Sequence, residues 1–301
     1  MKRFKTKNYN SRKWILYFGI FLVSVAFSIK YIYQKKLINE NTFLDVLVSD
    51  LFVLDNKNVF DADFLFKYTF NTNIEKNKQK DELVFEEDIS KNETCEPLVY
   101  IFNTHQTEKY KSDYLETYNI SSTVLVASKI LKEYLNDLGI GVIVEENDVE
   151  DKLHSLNWKY GYSYKVSRMF MESAKEKYPS LKYFIDLHRD SSVYDKTTTE
   201  IDGEKYARIL FVVGLDNEKY EPNLKVAEDL SNILKKYNKN LYRGIMKKSG
   251  KGVNGVYNQD FSPNAFLIEV GGQYNNISEV NNTLEIFAKV LSDYIKENSD
   301  A

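Results

Sequence analysis

From residue 98 onward, short apolar runs alternate with longer stretches whose apolar residues recur at helical spacing. Continuous apolar runs of this length are typical of strands covered on both faces. They predict strands over residues 98–103, 140–144, 181–187, 207–214, 241–246 and 265–270. The amphipathic stretches predict helices over residues 121–138, 160–177, 222–237 and 278–296. This alternation predicts an α/β fold whose twisted sheet is mostly parallel or mixed, with helices on both faces.

The first part of the chain follows a different pattern. A basic tail, residues 1–13, precedes an apolar run over residues 14–33, which approaches the ~20 residues that span a bilayer. No small-x-small cleavage site follows the run, so an uncleaved transmembrane anchor is favoured over a signal peptide. Because basic residues lie before it, we expect a single-pass protein of the cell membrane with the rest of the chain outside the cytoplasm. Residues 34–97 are expected to form a juxtamembrane spacer, and residues 98–296 the compact domain.

The composition limits the kinds of binding site and metal ligand that the protein can have. The formal net charge of −3 gives no support for nucleic-acid binding, which normally requires a basic surface. Cys95 is the only cysteine, so an internal disulfide and a cysteine-rich zinc cluster are excluded. Any metal site must therefore use histidines and carboxylates.

Histidine occurs only three times, and two of the three follow predicted strands. His105 comes just after the first strand and His188 ends the third, while Glu269 lies at the end of the last strand. Sites in such sheets form beyond the carboxyl ends of the strands, so we expect these side chains at one edge. His154 lies in a polar segment that we interpret as an exposed loop.

Histidine is the commonest metal ligand, and a catalytic zinc usually has three protein ligands. His105 and Glu108 have His-x-x-Glu spacing, and His188 would complete the set, with Asp186 as a carboxylate that orients a ligand or makes a core hydrogen bond. Glu269 is a candidate general base for a metal-bound water, or else a member of a buried ion pair or a helix-cap acceptor.

Arg189 directly follows His188 in the sequence. Its guanidinium is a candidate for holding a substrate carboxylate or the oxyanion, and a surface salt bridge is the alternative.

Six ordered sequence blocks carry a family resemblance. They are THQTEKY at 104–110, IDLHRDS at 185–191, YARILFVVG at 206–214, RGI at 243–245, GVYNQD at 255–260 and LIEVG at 267–271. Together with the predicted anchor, they resemble the stage II sporulation protein P family, membrane-anchored cell-wall amidases of endospore-forming bacteria. The resemblance covers about residues 98–296.

The resemblance implies a cell-wall amidase-like fold and a Zn²⁺-dependent N-acetylmuramoyl-L-alanine amidase. Such an enzyme cleaves the amide between the muramic acid lactyl group and L-Ala of the peptidoglycan stem peptide, and family members also cut cross-links. His105 and His188 would be zinc ligands and Glu269 the catalytic carboxylate. Glu108 and Glu116 compete for the third ligand position. The family often has His-Thr-His in the first block, where this chain has Asn103.

The resemblance also implies a role in forespore engulfment, with stage II sporulation proteins D and M as partners. Two other functions remain open. One is a zinc peptidase that cuts only the stem peptide, because the order of candidate ligands also suits a carboxypeptidase. The other is a catalytically inactive wall-binding scaffold of the same fold.

Overall fold

A computed structural model of the protein describes residues 96–112 and 121–298. The predicted tail, the anchor over residues 14–33, nearly all of the spacer and Glu116 lie outside these ranges. No helix within the described ranges is long and apolar enough to cross a membrane.

The described chain contains strands and helices in the alternation that the sequence predicts. The strands are β1 (Val99–Phe102), β2 (Val142–Val144), β3 (Tyr183–Asp190), β4 (Thr198–Ile201), β5 (Glu204–Ala207), β6 (Ile209–Gly214), β7 (Tyr242–Lys248) and β8 (Ala265–Gly272). The helices are α1 (Val124–Asp137), α2 (Val149–Ser155), α3 (Ser163–Lys177), α4 (Tyr194–Thr197), α5 (Tyr220–Asn238) and α6 (Ile277–Glu297). Two 3₁₀ turns, Tyr160–Tyr162 and Gln259–Phe261, precede α3 and β8.

The main sheet of the described chain is mixed. Its strand order is β2-β1-β3-β8-β6-β7, and the first four strands are parallel to one another. β6 runs antiparallel to β8 and parallel to β7. One edge of the sheet therefore combines the carboxyl ends of β1, β3 and β8 with the amino ends of β6 and β7. We call it the functional edge.

Helices cover both faces of this sheet. Tyr100 on β1 and Phe184 on β3 pack in one cluster with Met171 of α3. Tyr183 instead lies against Tyr294 of α6, with ring centroids 6.1 Å apart. Because neighbouring residues of a strand point to opposite faces, α3 and α6 cover opposite faces of the sheet. The predicted α/β architecture is confirmed.

Two strands and two α-helices of the described structure were not predicted. β4 and β5 form a separate antiparallel hairpin, whose turn at Asp202 and Gly203 has φ of 53° and 86°. The Asp-Gly pair is a hairpin signal, but the flanking residues lack a long apolar alternation. The interpretation of His154 as a loop residue is wrong, because it lies on the short polar helix α2, although it is exposed as expected. α4 is a single helical turn.

A β-bulge shapes the functional edge. His188 pairs with Glu269, whereas Asp190 pairs with Gly272, so β8 contains one extra residue across this interval. Gly271 lies in this bulge and has a φ of +66°, a backbone angle that residues with a Cβ rarely adopt. A Cβ at this position would also lie only 2.8 Å from Asn275 Oδ1. The bulge therefore requires glycine just beyond Glu269.

Candidate metal centre

The turn that carries His105 is fixed to β3. Thr104 donates its backbone N–H to Asp186 Oδ1 at 3.0 Å and its hydroxyl to Asp186 Oδ2 at 2.8 Å. The backbone N–H of Glu108 then donates to the carbonyl of His105 at 3.0 Å, which closes the turn. His105 and Glu108 consequently project from one short, hydrogen-bonded segment beside the end of β3.

This turn brings three predicted ligands together. His105, Glu108 and His188 each offer a ligand atom, and the three atoms lie within 4.8 Å of one another. Glu108 Oε1 is 3.7 Å from His105 Nδ1, and Glu108 Oε2 is 3.4 Å from His188 Nδ1. Ligand atoms on a tetrahedral zinc, each about 2.0–2.1 Å from the ion, lie about 3.3–3.4 Å apart. The two Glu108–histidine distances are close to this value, and the donor set suits a zinc ion.

Asp186 lies behind His188. Its Oδ1 is 2.8 Å from His188 Nε2, although this nitrogen has no partner in hydrogen-bond geometry among the described residues. Asp186 thus faces the ring nitrogen opposite to Nδ1, which lies 3.4 Å from Glu108 Oε2. Carboxylates in this position orient ligating histidines and raise their basicity. The predicted orienting role of Asp186 fits this arrangement, and the carboxylate also fixes the turn through Thr104.

The electrostatics of the three groups favour a cation between them. Burial alone would lower the pKa of His188, but Asp186 and Glu108 outweigh it and raise the pKa. Burial alone would raise the pKa of Glu108, but hydrogen bonds from His105 and His188 bring it well below its usual range. Ligation needs neutral imidazole and ionised carboxylate, so a dication would displace the imidazole proton.

Glu269 is the neighbour of His188 on the adjacent strand, with the two residues in register. Its Oε2 is buried and has no hydrogen-bond partner within the described ranges. Burial, assisted by the negative charge of Asp190, raises the pKa of Glu269 to about 7. A carboxyl group with this pKa can both accept and donate a proton near neutrality.

Sequence reasoning assigned no role to the pair formed by Asp190 and Arg243. The guanidinium Nη1 of Arg243 contacts Asp190 Oδ2, and Nη2 donates to Ser192 Oγ at 3.0 Å. Arg243 lies in a bulge of β7, between the positions that pair with Ile209 and Leu210. This bulge directs Arg243 across the functional edge toward β3. The motif around Arg243 was visible in the sequence, but its partner on a strand three positions away was not.

Arg189 is engaged within the protein. Its backbone N–H donates to Glu108 Oε2 at 3.1 Å, and its guanidinium Nε donates to the carbonyl of Lys109 at 3.0 Å. Both bonds stabilise the turn that carries Glu108. The predicted contact of Arg189 with substrate stays a prediction.

Asn103 has a structural role. Its side-chain amide donates to the carbonyl of Leu187 at 2.6 Å and accepts from Ser128 Oγ at 3.0 Å. The side chain thus connects β1, β3 and α1 beneath the metal centre. Glu116, the alternative third ligand, lies outside the described residues.

Tyrosines that were not predicted to be functional surround the centre. Tyr160 stacks on the His105 ring at 5.1 Å, and Tyr164 approaches the same ring edge-on at 5.7 Å. The Tyr257 and Tyr164 ring centroids lie 5.5 Å apart. Tyr257 has a φ of +54°, a strained backbone conformation that is often found at functional sites. The only sequence signal for them was the block containing Tyr257.

Comparison with known proteins places these features in a family. The family model described as stage II sporulation protein P matches residues 56–292. Stage II sporulation protein P of Bacillus subtilis (strain 168) is 35% identical over 202 residues, which is 65% of this chain and 50% of that protein. The chain thus spans about half the length of this curated relative.

Two solved structures resemble the chain weakly. Cwp6 from Clostridium difficile has a TM-score of 0.39 at 14% identity, covering 67% of this chain and 29% of its own. The CwlD amidase from Clostridioides difficile, solved in complex with the GerS lipoprotein, has a TM-score of 0.37 at 14% identity, covering 66% and 97%. At these values the resemblance adds nothing to the fold described above.

Proposed function

Because the chain belongs to the stage II sporulation protein P family, we propose that it is a zinc-dependent N-acetylmuramoyl-L-alanine amidase acting on peptidoglycan. The observation that carries the proposal is the convergence of His105, Glu108 and His188, whose ligand atoms lie within 4.8 Å of one another. Two imidazoles and one carboxylate form a donor set typical of catalytic zinc, which leaves a coordination position for water or substrate.

Zinc at this position would polarise the scissile carbonyl and lower the pKa of a bound water. Glu269 lies beside His188 and provides the general base: it takes a proton from the attacking water and delivers it to the leaving nitrogen. The carbon–nitrogen bond breaks as a carbon–oxygen bond forms. The products are a lactyl carboxylate on the muramic acid and a free amine on L-Ala.

The proposal includes a setting for this chemistry. A membrane anchor at residues 14–33 would keep the domain outside the cytoplasmic membrane, next to the wall. Family membership supports a role in sporulation, and we propose forespore engulfment, with stage II sporulation proteins D and M as partners. Cleavage of peptide cross-links by the same centre is a further part of the proposal.

Digestion of purified peptidoglycan by the full-length chain tests the activity. With zinc added, mass spectrometry should detect muramic acid with a free lactyl carboxylate, and His188→Ala should abolish this product. His154→Ala is the matched control, because His154 is an exposed histidine on α2 outside the centre. Full activity in His188→Ala, or in chelated protein, would contradict the metal mechanism.

The products also separate the other two functions. Cleavage only between amino acids would identify a stem-peptide peptidase, because the lactyl amide would stay intact. Binding to sacculi without release of any product would identify an inactive scaffold.

A further inference from the structure

Three exposed aromatic residues lie within five positions of the sequence, and one of them contacts the metal centre. Trp158, Tyr160 and Tyr162 expose 38%, 54% and 43% of their surface, respectively. We call these three residues the aromatic strip. Large aromatic rings contribute most to stability when buried, so a group of them on a protein surface is typical of an interaction site.

The strip is held in a defined conformation. The Trp158 backbone N–H donates to the carbonyl of Leu153 at 2.9 Å, and that of Tyr162 donates to the carbonyl of Lys159 at 2.9 Å. The Trp158 and Tyr162 rings lie 5.5 Å apart at an angle of 42°. Because the rings are already positioned, a ligand would bind them at a small entropic cost.

The strip reaches the metal centre through Tyr160, which lies between Trp158 and Tyr162 in the sequence. Tyr160 stacks on the His105 ring at 5.1 Å with the two planes 19° apart. Lys165 Nζ lies 4.8 Å from the Tyr162 ring centroid and helps to fix the far end of the strip. A polymer that reacts at the metal centre could therefore extend along the strip.

We propose that the aromatic strip binds the glycan strand of peptidoglycan. This inference rests on the proposed function, because the lactyl amide is attached directly to a sugar ring. That ring must lie next to the metal centre, and adjoining sugars continue away from it. Pyranose rings present faces of C–H groups, which pack well on the flat faces of tryptophan and tyrosine. A stem peptide would instead need partners for its amides and carboxylates.

A comparison of two substrates tests the proposal in the full-length zinc protein. One substrate is intact sacculi with long glycan strands, and the other is a soluble muramoyl peptide with a single sugar. For the double variant Trp158→Ala/Tyr162→Ala, we expect about a tenfold slower release from sacculi, equivalent to about 1.4 kcal/mol. Release from the soluble substrate should be unchanged, because Tyr160 is kept.

Tyr237→Ala provides a matched control. Tyr237 is 44% exposed on α5, and its hydroxyl donates to Asp293 of α6, which covers the opposite face of the sheet from α3. This variant removes an exposed tyrosine without touching the strip, so both substrates should be cut at the normal rate.

Fluorescence measures binding without catalysis. The chain has two tryptophans, so a Trp14→Phe/His188→Ala background leaves Trp158 as the only tryptophan, which is excited selectively over tyrosine at long wavelength, and prevents hydrolysis. Peptide-free glycan strands should change its emission in a saturable way, and Tyr162→Ala should weaken the binding.

Several results would overturn the proposal. They are no change in emission, equal loss of activity on both substrates, a response to sugar-free stem peptide instead of glycan, and a lower melting temperature in the double variant. The last would mean that the rings pack against the rest of the chain. Failure of the proposed function looks different: the unsubstituted protein would cut neither substrate, while the fluorescence titration would still report glycan binding.

Discussion

Replacing Glu269 with glutamine should make the metal-free protein more stable at alkaline pH. The native environment raises the pKa of Glu269 from 4.5 to about 7, mainly through burial and secondly through the charge of Asp190. Between about pH 4.5 and about pH 7, the native state therefore binds more protons than the unfolded chain. The stability of the protein therefore falls as the pH rises from about 4.5 to about 7, and the full loss persists above that range.

The size of this change in stability follows from the difference between the pKa of Glu269 in the native state and its pKa in the unfolded chain. At 1.36 kcal/mol for each pH unit, the raised pKa corresponds to at most about 3.4 kcal/mol above pH 7. Because the carboxyl group is not fully buried, solvent screening reduces this value, and we expect about 1–3 kcal/mol. Glu269→Gln removes the ionisable group, so the variant should gain this amount at pH 8 and almost nothing at pH 4.5.

Urea unfolding in the presence of EDTA measures the difference at both pH values. Chelation is necessary because a bound dication would favour the ionised carboxylate. Glu200→Gln, an exposed carboxylate on β4, controls for the loss of one negative charge. A gain of equal size at both pH values, or a less stable variant at pH 8, would refute the reasoning. The same substitution should abolish hydrolysis by the zinc-loaded protein, because glutamine cannot accept the proton.

Three further outcomes follow from the geometry. Asp186→Asn should weaken zinc affinity by about 10–100-fold, and unchanged affinity in a chelator competition would show that Asp186 does not act on His188. Gly271→Ala should lower the free energy of unfolding by about 1–3 kcal/mol, because it forces a Cβ onto a backbone with φ of +66°, and thermal melting would show whether it does. His188 and then Arg243 lower the pKa of Glu269. Arg243→Gln removes the second of these charges, so the acid limb of the activity–pH profile should move to higher pH, and an unmoved limb would contradict this.

The sequence predicted most of the architecture because its signals are local. Continuous apolar runs identified all six strands of the main sheet, and apolar residues at helical spacing identified the four long helices. The same signals placed His105 and His188 at strand ends. The elements it missed, α2, α4 and the β4–β5 hairpin, are short and polar, so burial leaves little periodic pattern in them.

Strand direction and the pairing of distant side chains were decided only by the tertiary structure. The local sequence of β6 does not indicate that this strand runs antiparallel to β8. Because β7 is parallel to β6, this direction places the start of β7, and with it Arg243, at the functional edge. The position of Glu108 between the two histidines likewise depends on Asp186 fixing the turn. Apolar periodicity is set by whether a residue is buried. The chemistry of the site is set by which distant residues meet, and that depends on how the strands are ordered and directed.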